Sequence, residues 1–249
     1  RDPEMSRGLG DVYKRQDEAI RAAVEQHNEV CRLIRAIGDF RKEANPRVTG
    51  YEFHILTLVS YVAPKHLIVD KLRETLEEIK TREPDAADKY RARVVFVGSE
   101  VDDVDVIRLV EESGAYVCAD RFCYGSLPGR DEIILNDEED VVKQVCRQVQ
   151  GRAQCPRYWD MAKMTGRRDY VADLAKEYGA DGIIYEQMKF CDPWAYERMI
   201  GTIVLRDEHG YPVLAVDRPY SIGSSGQMRT RVQAFVESIE IKKIQGGKK

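Results

Sequence analysis

From Asp17 to about Arg91, apolar residues recur at three- and four-residue steps, beginning with Ile20, Ala23, Val24, Cys31, Ile34 and Ile37. That period belongs to a helix with one buried stripe. "NPRVTG" ends this first helix, since proline and glycine interrupt the run. Thr49 stands where an N-cap starts a second helix through "YEFHILTLVSYVA" to Pro64. A third, "KHLIVDKLRETLEEIKTR", carries its stripe on Leu67, Ile68, Leu72 and Leu76. "EPDAADKY" is a polar connector.

At Arg93 the period changes. Short apolar runs bounded by turn residues, "RVVFVGS", "AYVCAD", "GIIYEQM" and "YPVLAVD", read as buried strands. Between and after them lie helical stretches: "DVDVIRLVEESG" with Gly114 past its end, "DEEDVVKQVCRQVQ", "RRDYVADLAKEYG", "PWAYERMIGTIVLRDEHG" and "GQMRTRVQAFVESIEI". Strands alternating with helices predict an α/β fold. The expectation is a helical N-terminal segment followed by a Rossmann- or flavodoxin-like parallel sheet of about four strands, flanked by helices on both faces. The organisation read here is a helical segment at 17–91, an α/β lobe at 92–242 and a polar tail at 243–249. Residues 1–16, "RDPEMSRGLGDVYKRQ", carry no periodicity and look like a translated cloning or adapter sequence. They are set aside, with the expectation that the natural chain extends further at its N-terminus.

The chain has 249 residues, 43% hydrophobic and 33% charged, enough for a substantial core. A net charge of −4 with both signs interspersed offers no basic field for nucleic acid. The apolar runs are too short for a membrane span, and no secretory signal is present, which leads to an expectation of a cytoplasmic protein. The six cysteines, at 31, 118, 123, 146, 155 and 191, show no CxxC spacing and read as reduced thiols.

In an open parallel sheet, ligands gather at the carboxyl ends of the strands. The loops Gly98–Asp103, Arg121–Arg130, Lys189–Asp192 and Arg218–Gly226 are expected there, and two carry a cysteine just past a strand, Cys123 and Cys191. Asp192 reads as an N-cap and Pro193 as the first helical residue, which puts Cys191 at a helix tip that favours an anion. A stabilised thiolate there suits metal or cluster ligation; an inert buried thiol is the alternative. Cys31, Cys118 and Cys146 read as core residues, and Cys155 in "QCPRYW" stays open. "SIGSSGQMRTR" places Ser224, Ser225, Gly226 and Gln227 before or at a helix start, where N–H groups could cradle an anion or simply begin an ordinary helix. His27, His54, His66 and His209 form no triad or zinc pattern.

Taken together, "RVVFVGSEVDD", "ADRFCYGS", "QCPRYWD", "GADGIIYEQMKFCDPW", "YPVLAVDRPY" and "GSSGQMRTRVQAF" resemble the 2-hydroxyacyl-CoA dehydratase / benzoyl-CoA reductase family, and "HNEVCRLIRAIGDFRKEANPRVTG" resembles its helical stretch. The resemblance runs from Asp17 to about Glu240. It implies a subunit built around a [4Fe–4S] cluster held by three cysteines. Two ligand positions fall on Cys123 and Cys191; the third is expected in an N-terminal lobe outside this sequence, with Cys155 a weaker candidate. The resemblance further implies an acyl-CoA substrate, a homologous second subunit and an ATP-hydrolysing activator that injects one electron. The implied reaction is radical elimination of water from a 2-hydroxyacyl-CoA, a hydro-lyase reaction. Benzoyl-CoA ring reduction, a non-catalytic subunit of such a complex and a flavodoxin-like binding module are the alternatives. The Ser224–Gln227 loop would donate hydrogen bonds to cluster or substrate.

Overall fold

The computed structural model describes residues 17–84, 89–126, 131–158, 160–220 and 225–246. The N-terminal segment forms helix α1 (Asp17–Asp39), a single 3₁₀ turn (Phe40–Lys42), α2 (Gly50–Val62) and α3 (Lys65–Thr81). Their stripes close a core of Val30, Ile34, Ile37, Phe53, Ile68, Leu72 and Ile79. Thr49 caps α2 as expected and does so reciprocally. Its hydroxyl accepts from the Glu52 N–H at 3.0 Å, and the Glu52 carboxylate accepts from the Thr49 N–H at 3.0 Å. Gly50 lets α2 press on the sheet, since a Cβ there would stand 2.6 Å from Val117 Cβ.

The alternating region gives β1 (Ala92–Val97), α4 (Val104–Glu112), β2 (Ala115–Arg121), α5 (Val141–Gly151), α6 (Met161–Glu177), β3 (Gly182–Met188), α7 (Asp192–Asp207), β4 (Val213–Arg218) and α8 (Ser225–Gly246). The four strands pair in parallel in the order β2-β1-β3-β4. One face buries Val94, Phe96, Ile184 and Val216 under α4 and α8; the other buries Val95, Val97, Ile183 and Tyr185 under α6 and α7. Covering both faces explains why the strands read as unbroken apolar runs.

Two details, the start of α6 and the place of Cys146, differ from the sequence reading, and the β1–β2 register adds to it. Helix α6 begins at Met161, ahead of the predicted Arg167, because the Asp160 carboxylate caps it by accepting the Lys163 N–H at 2.7 Å. Its first turn is exposed and so carries no stripe. The register between β1 and β2 shifts at Val94/Val95, which makes Cys118 the extra residue of a bulge. Cys146, read as core, is exposed on α5, whose buried positions are Val141 and Gln144. Cys31 and Cys118 are buried as expected. Among the described residues, no helix is long and apolar enough to cross a membrane.

Candidate functional site

The strand order decides which loops meet. The topological switch point lies between β1 and β3, where open α/β sheets bind ligands. Here the chain itself fills that gap. The Ser99 N–H and hydroxyl both donate to Glu186 Oε2, at 3.1 and 2.8 Å, and Ser99 Oγ accepts from the Met188 N–H at 2.7 Å. Arg218, from β4, faces Glu186 Oε1 at 2.8 Å. Burial pushes the Glu186 carboxyl up to about 7, against the pull of Arg218 and the Ser99 bonds. Gly98 is required by this closure, since a Cβ would meet the Glu186 carbonyl oxygen at 2.4 Å.

Open space lies instead beyond β2. A cavity of about 530 Å³ is bounded by Arg121, Phe122 and Cys123 at the β2 exit and by Gln154 and Cys155 beyond α5. The turn that carries Cys123 is held from several sides. Asp120, the residue before Arg121, accepts the Ser126 N–H at 2.6 Å and pairs with Arg41 Nη1 at 3.1 Å, an ion pair with side chains only 1% and 5% exposed. Arg41 also lies over the Phe53 ring, 3.6 Å from its centroid. The Cys123 N–H donates to the Ser99 carbonyl at 3.0 Å and the Tyr61 hydroxyl to the Gly125 carbonyl at 2.7 Å.

Cys191 leaves β3 through a tight turn. Its N–H donates to the Met188 carbonyl at 3.1 Å, and Phe190, fully exposed, takes the left-handed conformation at φ 71°. The helix begins here as expected, but Cys191 is itself the N-cap; Asp192 and Pro193 sit inside the first turn. The expected thiolate stabilisation does not follow. Burial raises the Cys191 pKa, and the Trp194 N–H works against that rise without overcoming it. Cys123 is pushed up to about 11, again mainly by burial. Both thiols therefore rest protonated and must shed a proton to bind a metal.

Trp194 neighbours each of the two cysteines. Both pack against the core cluster to which this buried indole belongs, on one face of the sheet. Its backbone N–H faces Cys191, while its side chain leans toward Cys123. The approach falls short of hydrogen-bond geometry and leaves Trp194 Nε1 a buried donor without a partner among the described residues. The Arg121 guanidinium stacks over the same ring, 4.7 Å from its centroid. Arg121 is 2% exposed, and its described hydrogen bonds go to Gln154, with Nε 3.0 Å from Gln154 Oε1. No carboxylate pairs with it among the described residues. Burial lowers its pKa, with Cys123 pulling the other way.

Cys155 lines the same cavity as Cys123 and lies within electrostatic reach of both Cys123 and Cys191. Even so, no three His, Cys, Asp or Glu side chains among the described residues are grouped to hold a metal ion. Of the glycine–serine loop, Ser224 lies outside the described residues, Ser225 opens α8, and Gly226 and Gln227 fall in its first turn. The body of helix α8, from Val232 to Ile239, covers the sheet face opposite the cluster that Cys123 and Cys191 pack against. Sequence reasoning missed Arg41, Asp120, Arg121 and Trp194, although all four sit inside quoted segments: Arg41 in "HNEVCRLIRAIGDFRKEANPRVTG", Asp120 and Arg121 in "ADRFCYGS", and Trp194 in "GADGIIYEQMKFCDPW".

The carboxyl edge of this parallel α/β sheet thus carries two thiols, an indole donor and a buried cation, the last two without an anionic partner among the described residues. The chain belongs to the 2-hydroxyglutaryl-CoA dehydratase D-component family, whose model matches residues 9–239. It is similar to the (R)-phenyllactyl-CoA dehydratase beta subunit of Clostridium sporogenes, 25% identical over 225 residues, covering 90% of this chain and 58% of that protein. It is also similar to a benzoyl-CoA reductase subunit of Thauera aromatica, 22% identical over 245 residues, covering 96% of this chain and 61% of that protein. A shorter stretch of 80 residues is 36% identical to the (R)-2-hydroxyglutaryl-CoA dehydratase subunit beta of Acidaminococcus fermentans, covering 32% of this chain and 21% of that protein. The chain thus spans less than two thirds of the length of these relatives.

Proposed function

We propose that the chain is part of a 2-hydroxyacyl-CoA dehydratase subunit and contributes Cys123 and Cys191 to a [4Fe–4S] cluster. The observation that carries this reading is that each cysteine neighbours Trp194, whose indole N–H has no partner among the described residues, beside a buried guanidinium with no counter-charge there. Thiolates bonded to iron are anionic acceptors, and they would satisfy both groups at once. The described residues fit such a cluster as contributors of two thiols, with Cys155, which lines the same cavity as Cys123, the candidate for a further ligand. Bound, the cluster would supply an iron with an open position and one-electron chemistry.

The chain's own residues would then do the positioning. Asp120, Ser126 and Tyr61 hold the turn that presents Cys123. The α7 N-terminus directs an N–H at Cys191. Arg121 offers positive charge to the thiolates and to the oxygen of an acyl thioester nearby. A homologous second subunit and an ATP-hydrolysing activator complete the working assembly. Dehydratase is favoured over ring reductase because the Clostridium sporogenes relative and the matching family model both carry that activity in their names. The test is an anaerobic assay of the subunit with its partner, activator and ATP, on a 2-hydroxyacyl-CoA and on benzoyl-CoA. The proposal expects the 2-enoyl-CoA and no dienoyl-CoA; the reverse outcome establishes the reductase.

A further inference from the structure

Helix α7 has two apolar faces, and the fold uses one of them. Trp194, Gly201 and Leu205 are buried against the sheet, and a Cβ at Gly201 would stand 2.9 Å from the Tyr185 ring. On the outward side Tyr196, Met199 and Ile203, spaced by three and four residues, stay 69%, 58% and 49% exposed. Phe190, just ahead of the helix, is 97% exposed and keeps a left-handed backbone that bulky residues avoid. Summed, these four side chains leave on the order of 500 Å² of apolar surface bare, near the upper end for a monomer. Phe, Tyr and Met are also the types that interface centres favour. A helix that is apolar on all sides belongs inside a structure. The neighbouring β4 adds to this: it ends the sheet among the described strands, and its Val213, Leu214 and Ala215 are only half-buried.

The charges at the two ends of α7 indicate what covers this face. At the N-terminal end Lys189 is exposed, and Arg157 lies within electrostatic reach of Cys191. Neither pairs with a carboxylate among the described residues, and together they outnumber Asp192. At the C-terminal end Asp207 and Glu208 outnumber Arg206, which pairs with Asp207. A face with a cationic end, an apolar middle and an anionic end complements itself when a second copy lies across it antiparallel. The helix macrodipoles favour the same arrangement. A twofold axis between Met199 and Ile200 sets Tyr196 against Ile203 of the second copy and brings Lys189 to Glu208 of the second copy.

We propose that α7 is the seam of a homodimer: two copies of this chain pair antiparallel through Tyr196, Met199 and Ile203, with Lys189 of each copy beside Glu208 of the other. The two Cys191 turns then lie at opposite ends of the seam, about 25 Å apart along the helices. The experiment is analytical ultracentrifugation of the chain over a range of concentrations. A total buried area of about 1,000 Å² is the low end for a specific interface, so a dimer with Kd on the order of 10 µM is expected. Met199→Asp sets two carboxylates at the axis and should weaken the dimer about 100-fold or more, with the unfolding midpoint unchanged because the site is exposed. Lys189→Glu or Glu208→Lys alone should weaken it about 3- to 10-fold, since each contact occurs twice, and the two together should restore the parent affinity. A chain that stays monomeric well above the expected Kd overturns the proposal. So does a dimer indifferent to Met199→Asp, or a paired charge exchange that restores nothing. Association with a homologous subunit alone, lost in Met199→Asp, gives this face to that subunit and overturns the homodimer as well. None of these outcomes moves the iron content on which the cluster reading stands.

Discussion

Asp120→Ala should be among the most damaging single changes in the α/β lobe. Its carboxylate faces Arg41 Nη1 at 3.1 Å and accepts the Ser126 N–H at 2.6 Å, with both side chains of the ion pair essentially out of solvent. Deleting one member of a buried pair leaves the other charge stranded, at a cost of about 3–5 kcal/mol. Losing the Asp120 bond to the Ser126 N–H adds about 1 kcal/mol. Against a total stability on the order of 5–15 kcal/mol, that is a large share. Urea unfolding followed by far-UV circular dichroism measures it directly. The turn around Cys123 loses its clasp as well, so alkylation of Cys123 should accelerate. Adding Arg41→Met in the Asp120→Ala background should return much of the loss, since the stranded cation is gone; a coupling energy of about 2 kcal/mol or more is expected. A loss below about 1 kcal/mol, or an Arg41→Met effect that is the same in both backgrounds, refutes the argument.

Gly98→Ala should cost about 1–3 kcal/mol in the same assay, because its Cβ meets backbone of β3 rather than a movable side chain; a neutral effect contradicts the close β1–β3 approach. Thiol reactivity should follow exposure and ionisation: at pH 8 a thiol near 11 is ionised to about one part in a thousand, so Cys146 should label long before Cys123, and Cys31 and Cys118 only on unfolding. Mass spectrometry of partially alkylated protein reads that order. Burial raises Glu111 to about 7 although it accepts N–H bonds from Gly50 and Tyr51. Its contribution is full below the unfolded carboxyl value and is lost as pH rises through 7, a change of about 3 kcal/mol. Glu111→Gln should flatten the fall in stability between pH 4.5 and 7, and a fall of unchanged size in that variant sinks the assignment.

How much of the molecule is legible in its sequence depends on whether the signal is local. Strands and helices are visible because apolar runs and stripes are written in neighbouring residues, and Thr49 announces its own helix. Placing Cys123 and Cys191 just past strands needs only that reading and the rule for parallel sheets. The clasp between Arg41 and Asp120 is invisible, since it joins residues on separate elements and neither looks unusual in its own segment. So is the plug of Ser99, Glu186 and Arg218, which turns the expected ligand crevice into packed polar structure and shifts open space past β2. Cys191 shows where a correct local reading misleads: a helix tip does sit there, yet desolvation outweighs its N–H groups in the resting thiol. Cys146 reads as core and is not, because a cysteine in a helical stripe counts as apolar whichever way the stripe faces.

Iron is the most direct arbiter. The subunit should be purified anaerobically with its partner, alongside Cys123→Ser and Cys191→Ser, and assayed for iron and acid-labile sulfide with electron paramagnetic resonance of the reduced protein. About four irons per site in the parent, lost or reshaped to a different signal in each serine variant, is the expected result. A full iron count and an unaltered spectrum in either variant would contradict the assignment of these two sulfurs to one cluster.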